Sequence, residues 1–313
     1  MTGLTGESIL VYDVGGSHIS AAQCQKSGYR LSHVASALYP GEQSLNAFLD
    51  VLYSLGTRAS EGATGIAGAE LAMPGPFDFQ AGVSRMTHKL PYLYGVDLRA
   101  AFAKRAGWQP EQVRFLKDAA AFLLGEIGAG AALGFARAVG ITLGTGVGCA
   151  FALEGRIVSE CPGVLSGGEI WDLPFEGGIL EDRVSSRAIR SSYERRTGIS
   201  REVVDLAAAA RSDPAANQSF LEFGRYLGLA LRMTLTAFAP EVVVLGGGIS
   251  RSAHLFLPAA QAELNDTTIQ IRVSALLDHA PLVGAAVAWF NEKNGAEIKS
   301  GSPVSSTAHA DAH

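Results

Sequence analysis

Three glycine-rich turns, each at the end of an apolar run, are the residues of this sequence best suited to binding an anion. Asp13 precedes Gly15-Gly16 in "VYDVGGSHISAA", "LGTGVG" covers 143–148, and a third glycine run follows "EVVVL". Glycine lets backbone N–H groups approach phosphate oxygens closely, and a neighbouring carboxylate can hold a metal ion. Taken alone, Gly15-Gly16 is better explained as a hairpin turn.

The glycine turns do not match the commonest nucleotide-binding signatures. None ends in Gly-Lys-Ser/Thr as a P-loop does, and none is a G-x-G-x-x-G that opens a helix with an acid downstream. Two glycine hairpins that face each other, with a third turn beneath a base, suit ATP lying in a cleft.

The apolar periodicity indicates which elements hold these turns. "SILVYDV" and "SHISAAQC" predict strands on either side of the first turn, and "ARAVGITLGTGVGCAFALEGRIV" repeats that plan around the second. The repetition predicts two similar halves that face each other, with two unrelated hairpins as the alternative. "EQVRFLKDAAAFLLGEIG" predicts a strand that passes into a helix at Asp118. Asp97 and Gly107 bound a second predicted helix, and a long helix is predicted over 219–239.

The composition limits the classes of partner. The 313 residues are 48% hydrophobic with a net charge of −5, so the chain can bury a large core and has no basic stripe for nucleic acid. The three cysteines form no C-x-x-C pair, and no signal peptide or membrane span is visible. We therefore expect a soluble, cytoplasmic protein that binds neither nucleic acid nor membrane. We expect a disordered tail over 294–313.

Six segments, in this order, resemble the ROK family (repressors, open reading frames and sugar kinases) of the actin-like ATPase superfamily. They are "DVGGS", "MPGPFDFQAGV", "KDAAAFLLGE", "LGTGVG", "VVVLGGGIS" and "LLDHAPLVGAAVAW". The resemblance covers about 9–289. It implies an α/β fold of two actin-like (ribonuclease H-like) domains, with mixed β-sheets flanked by helices around a central cleft. The implied domains are 1–116 and 117–293, and the last helix is expected to pack back on the first domain.

The same resemblance implies ATP-dependent phosphorylation of a sugar hydroxyl, as in glucokinases, with Asp118 as the general base. Transfer to an alcohol needs a carboxylate within hydrogen-bond reach of the attacking hydroxyl, whereas from its position alone Asp118 is a helix cap. Asp13 would orient Mg²⁺ through water. The phosphates and nucleotide would be held by Gly15, Gly16, Ser17, Gly144, Thr145, Gly146, Gly246, Gly247 and Gly248. The substrate would be bound by Pro74, Gly75, Lys89, Lys117, Glu169, Asp172 and Glu181. A homodimer is also implied.

The chain departs from the family pattern at its zinc site. The family has Gly-Glu-x-Gly-His followed by a cysteine cluster, but "GGEIWDLPFEGGILEDRVSS" has Trp171-Asp172 at Gly-His and no cysteine. A structural zinc needs four sulfur or nitrogen ligands, so we predict no zinc here. Glu169 fits the first acid of the motif, and Glu181 is a plausible match for the sugar-binding glutamate. Trp171 is predicted to fill the space of the missing loop rather than to stack on a sugar.

Lys89 and Lys117 stand where the family has asparagines. Lysine only donates and brings charge, whereas asparagine both donates to and accepts from a sugar hydroxyl. Lys117 either points to solvent or pairs with Asp118 and lowers the pKa of that base. A third interpretation is that both lysines bind an anionic group, as on a sugar acid or a sugar phosphate.

Two other functional classes are compatible with the family resemblance. A sugar-responsive repressor would carry a winged-helix domain ahead of the first phosphate motif, and only twelve residues precede Asp13. A catalytically degenerate sugar- or nucleotide-binding protein would explain the lost asparagines, histidine and zinc ligands. Such a protein has no chemical need for Asp118, so the sequence favours a kinase that uses ATP or polyphosphate as the phosphoryl donor.

Overall fold

A computed structural model describes residues 7–39, 44–63, 65–266 and 268–291 of the chain. The strands are β1 Ser8–Val14, β2 His18–Gln25, β3 Arg30–Leu38, β4 Ile66–Met73, β5 Phe77–Asp78, β6 Val83–Ser84, β7 Val113–Lys117, β8 Arg137–Leu143, β9 Val147–Leu153, β10 Arg156–Val158, β11 Pro174–Phe175, β12 Gly178–Ile179, β13 Val242–Gly246 and β14 Gln270–Val273. The helices are α1 Leu45–Ala59, α2 Leu98–Ala106, α3 Asp118–Ala129, α4 Leu180–Arg183, α5 Ser186–Thr197, α6 Val203–Ala209, α7 Pro214–Leu235, α8 Ala253–Leu264 and α9 Ala280–Phe290. The tail predicted to be disordered, 294–313, lies outside the described residues.

The first five-stranded sheet has the strand order β3-β2-β1-β4-β7. Its first three strands are antiparallel neighbours, and β4 and β7 run parallel to β1. Successive side chains of β1 point to opposite faces of the sheet, so they pack into two different hydrophobic cores. Tyr12 packs with residues of α1 and α2, whereas Ile9 and Val11 pack against α9.

The second sheet repeats this plan with the order β10-β9-β8-β13-β14. Again two antiparallel pairs are followed by two parallel ones. The predicted recurrence of strand, glycine turn and strand is therefore confirmed. The domain boundary at 116/117 stays a prediction.

Two helices connect the sheets, and their backbones touch. α3 follows β7 of the first sheet but packs on β8 and β9 of the second, whereas α9 follows β14 and packs on β1, β2 and β4. A Cβ at Gly284 of α9 would overlap the carbonyl oxygen of Ala121, and one at Gly125 of α3 would overlap that of Ala280. Glycine is required at these two positions because the helices cross in backbone contact.

The helix ends follow local capping rules, with one correction. Asp97 caps α2 and Gly107 ends it in the left-handed conformation, as predicted. The long helix predicted over 219–239 instead spans Pro214–Leu235. Its start was missed because Asp213 caps it and Pro214 occupies the first turn, where a missing N–H costs nothing. In the part of the chain that the structure describes, no helix is long and apolar enough to cross a membrane.

Candidate functional site

The predicted base lies where a strand of the first sheet becomes a helix. β7 ends at Lys117 and α3 begins at Asp118, as predicted. The neighbouring parallel strand β4 ends in register, Met73 beside Lys117, so Pro74 and Gly75 follow at the same edge. The Oδ1 atom of Asp118 accepts from the N–H of Ala119 at 2.7 Å. The side chain is half-buried at the helix N-terminus, which stabilises its negative charge.

Asp13 is half-buried near two other carboxylates at the end of β1. Burial and, to a smaller extent, the negative charges of Asp118 and Asp278 raise the pKa of Asp13 to about 7. Asp278 precedes α9 and pairs with Arg251 at 2.5 Å. Sequence reasoning assigned no role to Asp278 or Arg251, although Asp278 lies in the "LLDHAPLVGAAVAW" segment. Mg²⁺ prefers carboxylate and water oxygens, so the donor chemistry and the unfavourable charge at Asp13 fit this ion.

The glycine turns lie at the carboxyl ends of β1 in the first sheet and of the neighbouring strands β8 and β13 in the second, and ligands bind at such ends in parallel sheets. In the first turn the N–H of Gly15 donates to the carbonyl of His18, and Gly16 and Ser17 are exposed. In the second, the N–H of Gly144 donates to the carbonyl of Gly146, while Thr145 is exposed.

The third turn, Gly246 to Gly248, touches the second one. Gly247 has a φ of 79°, and a Cβ there would overlap the backbone of Leu143. The contact arises because β8 and β13 are parallel neighbours. The structure therefore brings the two turns of the second sheet together, as a single nucleotide site requires.

The side chain of Lys117 neither points to solvent nor pairs with Asp118, the two arrangements predicted from the sequence. Its Nζ lies 2.6 Å from Oε1 of Glu169 and donates to the carbonyl of Cys149 at 3.1 Å. No ion pair joins it to Asp118 within the described residues, and its side chain is only 22% exposed. The charge of Lys117 is neutralised by Glu169, which removes support for the interpretation that it binds an anionic group.

Glu181 lies against the second glycine turn. Its Oε2 accepts from the N–H of Val147 at 3.0 Å, and a Cβ on Gly146 would overlap its carboxylate. The backbone N–H of Glu181 donates to the carbonyl of Trp171 at 2.9 Å. Glu181 is thus bound through its backbone to the segment after Glu169 and through its side chain to the turn predicted to bind phosphate.

The segment in place of the family's zinc loop is a short hairpin of β11 and β12. The prediction that Trp171 fills the missing space is wrong, because its side chain is 40% exposed while Ile170 beside it is buried in the core. Asp172 and Lys89 are exposed, and neither forms an ion pair in the described part of the chain. Among the described residues no group of three or more His, Cys, Asp or Glu side chains is arranged to hold a metal ion.

The chain is similar in sequence and in fold to known sugar kinases. Glucokinase of Thermotoga maritima is 29% identical over 248 residues, which are 69% of this chain and 77% of the relative. The crystal structure of a ROK hexokinase from Thermus thermophilus superposes with a TM-score of 0.75 at 27% identity, covering 92% of this chain and all of that one. A ROK family glucokinase from Streptomyces griseus in complex with glucose and AMPPNP gives the same TM-score at 24% identity, covering 89% and 98%.

The predicted fold class, two actin-like domains around a cleft, is confirmed by these structural neighbours. The model of the ROK family matches residues 10–292, which is most of the sequence. The chain therefore belongs to the ROK family.

Proposed function

We propose that this protein transfers the γ-phosphoryl group of ATP to a hydroxyl group of a sugar, with Asp118 as the general base. The chain is a carbohydrate kinase at the level at which its relatives agree, since they include a glucokinase and a hexokinase. AMPPNP in the Streptomyces griseus enzyme supports ATP as the donor. The single observation that carries the residue assignment is the position of Asp118 at the start of α3, where its charge raises the pKa of Asp13.

Asp118 would remove the proton from the attacking hydroxyl. The N–H of Ala119 holds Oδ1, which leaves Oδ2 to accept the hydroxyl hydrogen. A positioned carboxylate of this kind orients the nucleophile as well as accepting its proton. The position of the carboxylate at the start of α3 fixes where it meets the hydroxyl.

The backbone of the glycine turns would bind the phosphates. Gly16, Ser17 and Thr145 are exposed residues outside the strands, and the glycines around them would allow phosphate oxygens to approach their backbone N–H groups closely. Asp13 would hold Mg²⁺ through water, and the ion would supply positive charge to neutralise the phosphate oxygens. Gly246 to Gly248 would lie beside the adenosine.

The acceptor would be bound on the opposite side of Asp118. Pro74 and Gly75 lie at the adjacent strand end, and Glu169 has Oε2 remaining for a hydroxyl. Glu181 contacts the second glycine turn, so a sugar bound to it would also lie close to the phosphates. Asp172 and Lys89 are exposed and would contact the outer part of the acceptor.

A catalytically degenerate sugar- or nucleotide-binding protein is the second candidate. One observation favours it. Lys117 stands where the family resemblance implies an asparagine, and its ammonium group contacts Glu169 and the Cys149 carbonyl, so it does not offer a sugar the donor and acceptor of an amide. Such a protein would bind AMPPNP and sugar without turnover. The experiment below separates the two functions.

The test is ADP release with Mg-ATP across glucose, N-acetylglucosamine, mannose and glucuronate, for wild type, Asp118→Asn and Asp97→Asn. The last variant is the matched control, because Asp97 also starts a helix but lies outside the site. We expect sugar-dependent release in wild type and Asp97→Asn, and a loss of about 10²-fold or more in Asp118→Asn with AMPPNP binding retained. Release that is equal in all three proteins would refute the role of Asp118. Binding without release in wild type would establish the degenerate protein.

A further inference from the structure

Lys117 is anchored at its ammonium group by two acceptors. Glu169 accepts at 2.6 Å and the carbonyl of Cys149 at 3.1 Å. An ammonium group has three N–H donors, so two of the three are committed to protein atoms. A lysine held in this way links parts of the protein to each other and is not a free cation that could bind a ligand.

The two acceptors belong to the half of the molecule that carries the second glycine turn. Cys149 lies in β9, the strand that leaves this turn, and Glu169 lies in the segment after β10. Lys117 is the last residue of β7 in the first sheet. Its side chain therefore connects the two sheets directly beside the predicted base.

Cys149 pairs with Ile141 of β8 on one side of β9, and β10 does not reach it on the other side. β10 pairs only with residues 151–153 of β9, so Cys149 lies beyond the end of that ladder. The lysine donates to the carbonyl of this buried residue at 3.1 Å, and a charge-assisted hydrogen bond of this kind contributes to stability. The polar end of an asparagine side chain is two bonds closer to the backbone than that of a lysine, so it would not bridge the same gap, and this gives a structural reason for the lysine.

We propose that Lys117 is a positioning residue, which acts through Glu169 and the Cys149 carbonyl to hold Asp118 in register with the second glycine turn. This inference rests on the proposed function, because the register matters only if Asp118 must face a hydroxyl at the phosphate site. Reacting groups displaced by about 1 Å can lose about 10²-fold in rate. The ion pair has no net charge, so it does not select an anionic acceptor.

The kinetic test compares Lys117→Met, which keeps the length and removes the charge, with Lys117→Arg, Glu169→Gln and the double variant. Lys104→Met, on an exposed helix position, is the matched control. We expect kcat to fall about 10–100-fold in Lys117→Met, with the KM values for sugar and Mg-ATP within twofold of wild type. Lys117→Arg should restore part of kcat, and the double variant should be no worse than Lys117→Met. A large rise in the sugar KM at unchanged kcat would instead make Lys117 a substrate ligand and overturn the proposal.

A second measurement does not require turnover. Hydrogen exchange by mass spectrometry should show faster exchange in Lys117→Met over 118–122 and 147–151, with unchanged exchange in β1 and β2, and no change in Lys104→Met. Unaltered exchange in both segments would overturn the proposal even if activity fell. If wild type releases no ADP with any sugar, the proposed kinase function fails, while the exchange result still decides whether Lys117 joins the two segments.

Discussion

The ionised carboxylate of Asp13 destabilises the folded protein when no cation is bound. Its pKa rises from 3.8 to about 7, chiefly through burial and then through Asp118 and Asp278. Each pKa unit is 1.36 kcal/mol, so about three units correspond to about 4 kcal/mol above pH 7. Between about pH 4 and 7 the folded state keeps a proton that the unfolded state has released. The free energy of unfolding therefore falls as the pH rises through this window.

Replacing Asp13 with asparagine keeps the shape and removes the charge. We expect the free energy of unfolding of Asp13→Asn at pH 8 to exceed that of wild type by up to about 4 kcal/mol, and the difference to shrink to about 1–2 kcal/mol at pH 5. The same variant should lose kinase activity, since the carboxylate that would hold Mg²⁺ through water is gone. A gain in stability accompanied by a loss of activity is the expected signature of a functional charge.

The assay is urea unfolding at pH 5, 6, 7 and 8 in the presence of EDTA, with Glu61→Gln as an exposed carboxylate control. Mg²⁺ with AMPPNP should then stabilise wild type and have a smaller effect on Asp13→Asn. The reasoning is wrong if Asp13→Asn is no more stable than wild type at pH 8. It is also wrong if the difference between the two proteins does not change with pH.

Two predictions concern the helices that join the sheets. Glu126 is fully buried on α3, and its substitution by alanine should lower the free energy of unfolding by about 3–6 kcal/mol, against about 1 kcal/mol for Ser274→Ala. The carboxylate accepts from the Ser274 hydroxyl and from the backbone N–H groups of Ala131, Ala275 and Leu276. Equal losses in urea unfolding of the two variants would contradict this account. Gly284→Ala should cost about 1–3 kcal/mol in the same assay, because its Cβ meets the Ala121 carbonyl, and an unchanged midpoint would mean that α3 and α9 separate freely.

The elements that local sequence controls were predicted correctly. Alternating apolar residues around Gly15-Gly16 and around 143–148 gave the strands on either side of each turn, because the period of two and the glycine break are both local signals. The boundary between β7 and α3 at Asp118 has the same origin. Asp97 and Gly107 bounded α2 because a cap needs only the nearest backbone groups.

The contacts that decide the chemistry join residues far apart in the chain, and no local pattern predicts them. Lys117 meets Glu169, 52 residues later, and Glu126 meets Ser274, 148 residues later. The expectation that Lys117 pairs with Asp118 rested on adjacency, but neighbouring side chains at a strand end point to opposite sides. After Asp118, Glu126 is the one charged residue of α3, and an acid in that position resembles an ordinary exposed residue when only the sequence is known. Its burial is explained by the hydrogen bonds that it accepts from Ala131 and from residues 274–276 after β14.

The segment that contains β11 and β12 holds Glu181 in place through backbone hydrogen bonds. The β11–β12 hairpin pairs Phe175, which is buried, with Gly178, and the N–H of Leu180 donates to the carbonyl of Leu173 at 2.9 Å. The next N–H, that of Glu181, donates to the carbonyl of Trp171 at the same distance. Backbone hydrogen bonds and one buried ring therefore place this carboxylate on the second glycine turn. The position of Glu181 therefore depends on contacts within its own segment, Leu173 and Trp171 on one side and the glycine turn on the other.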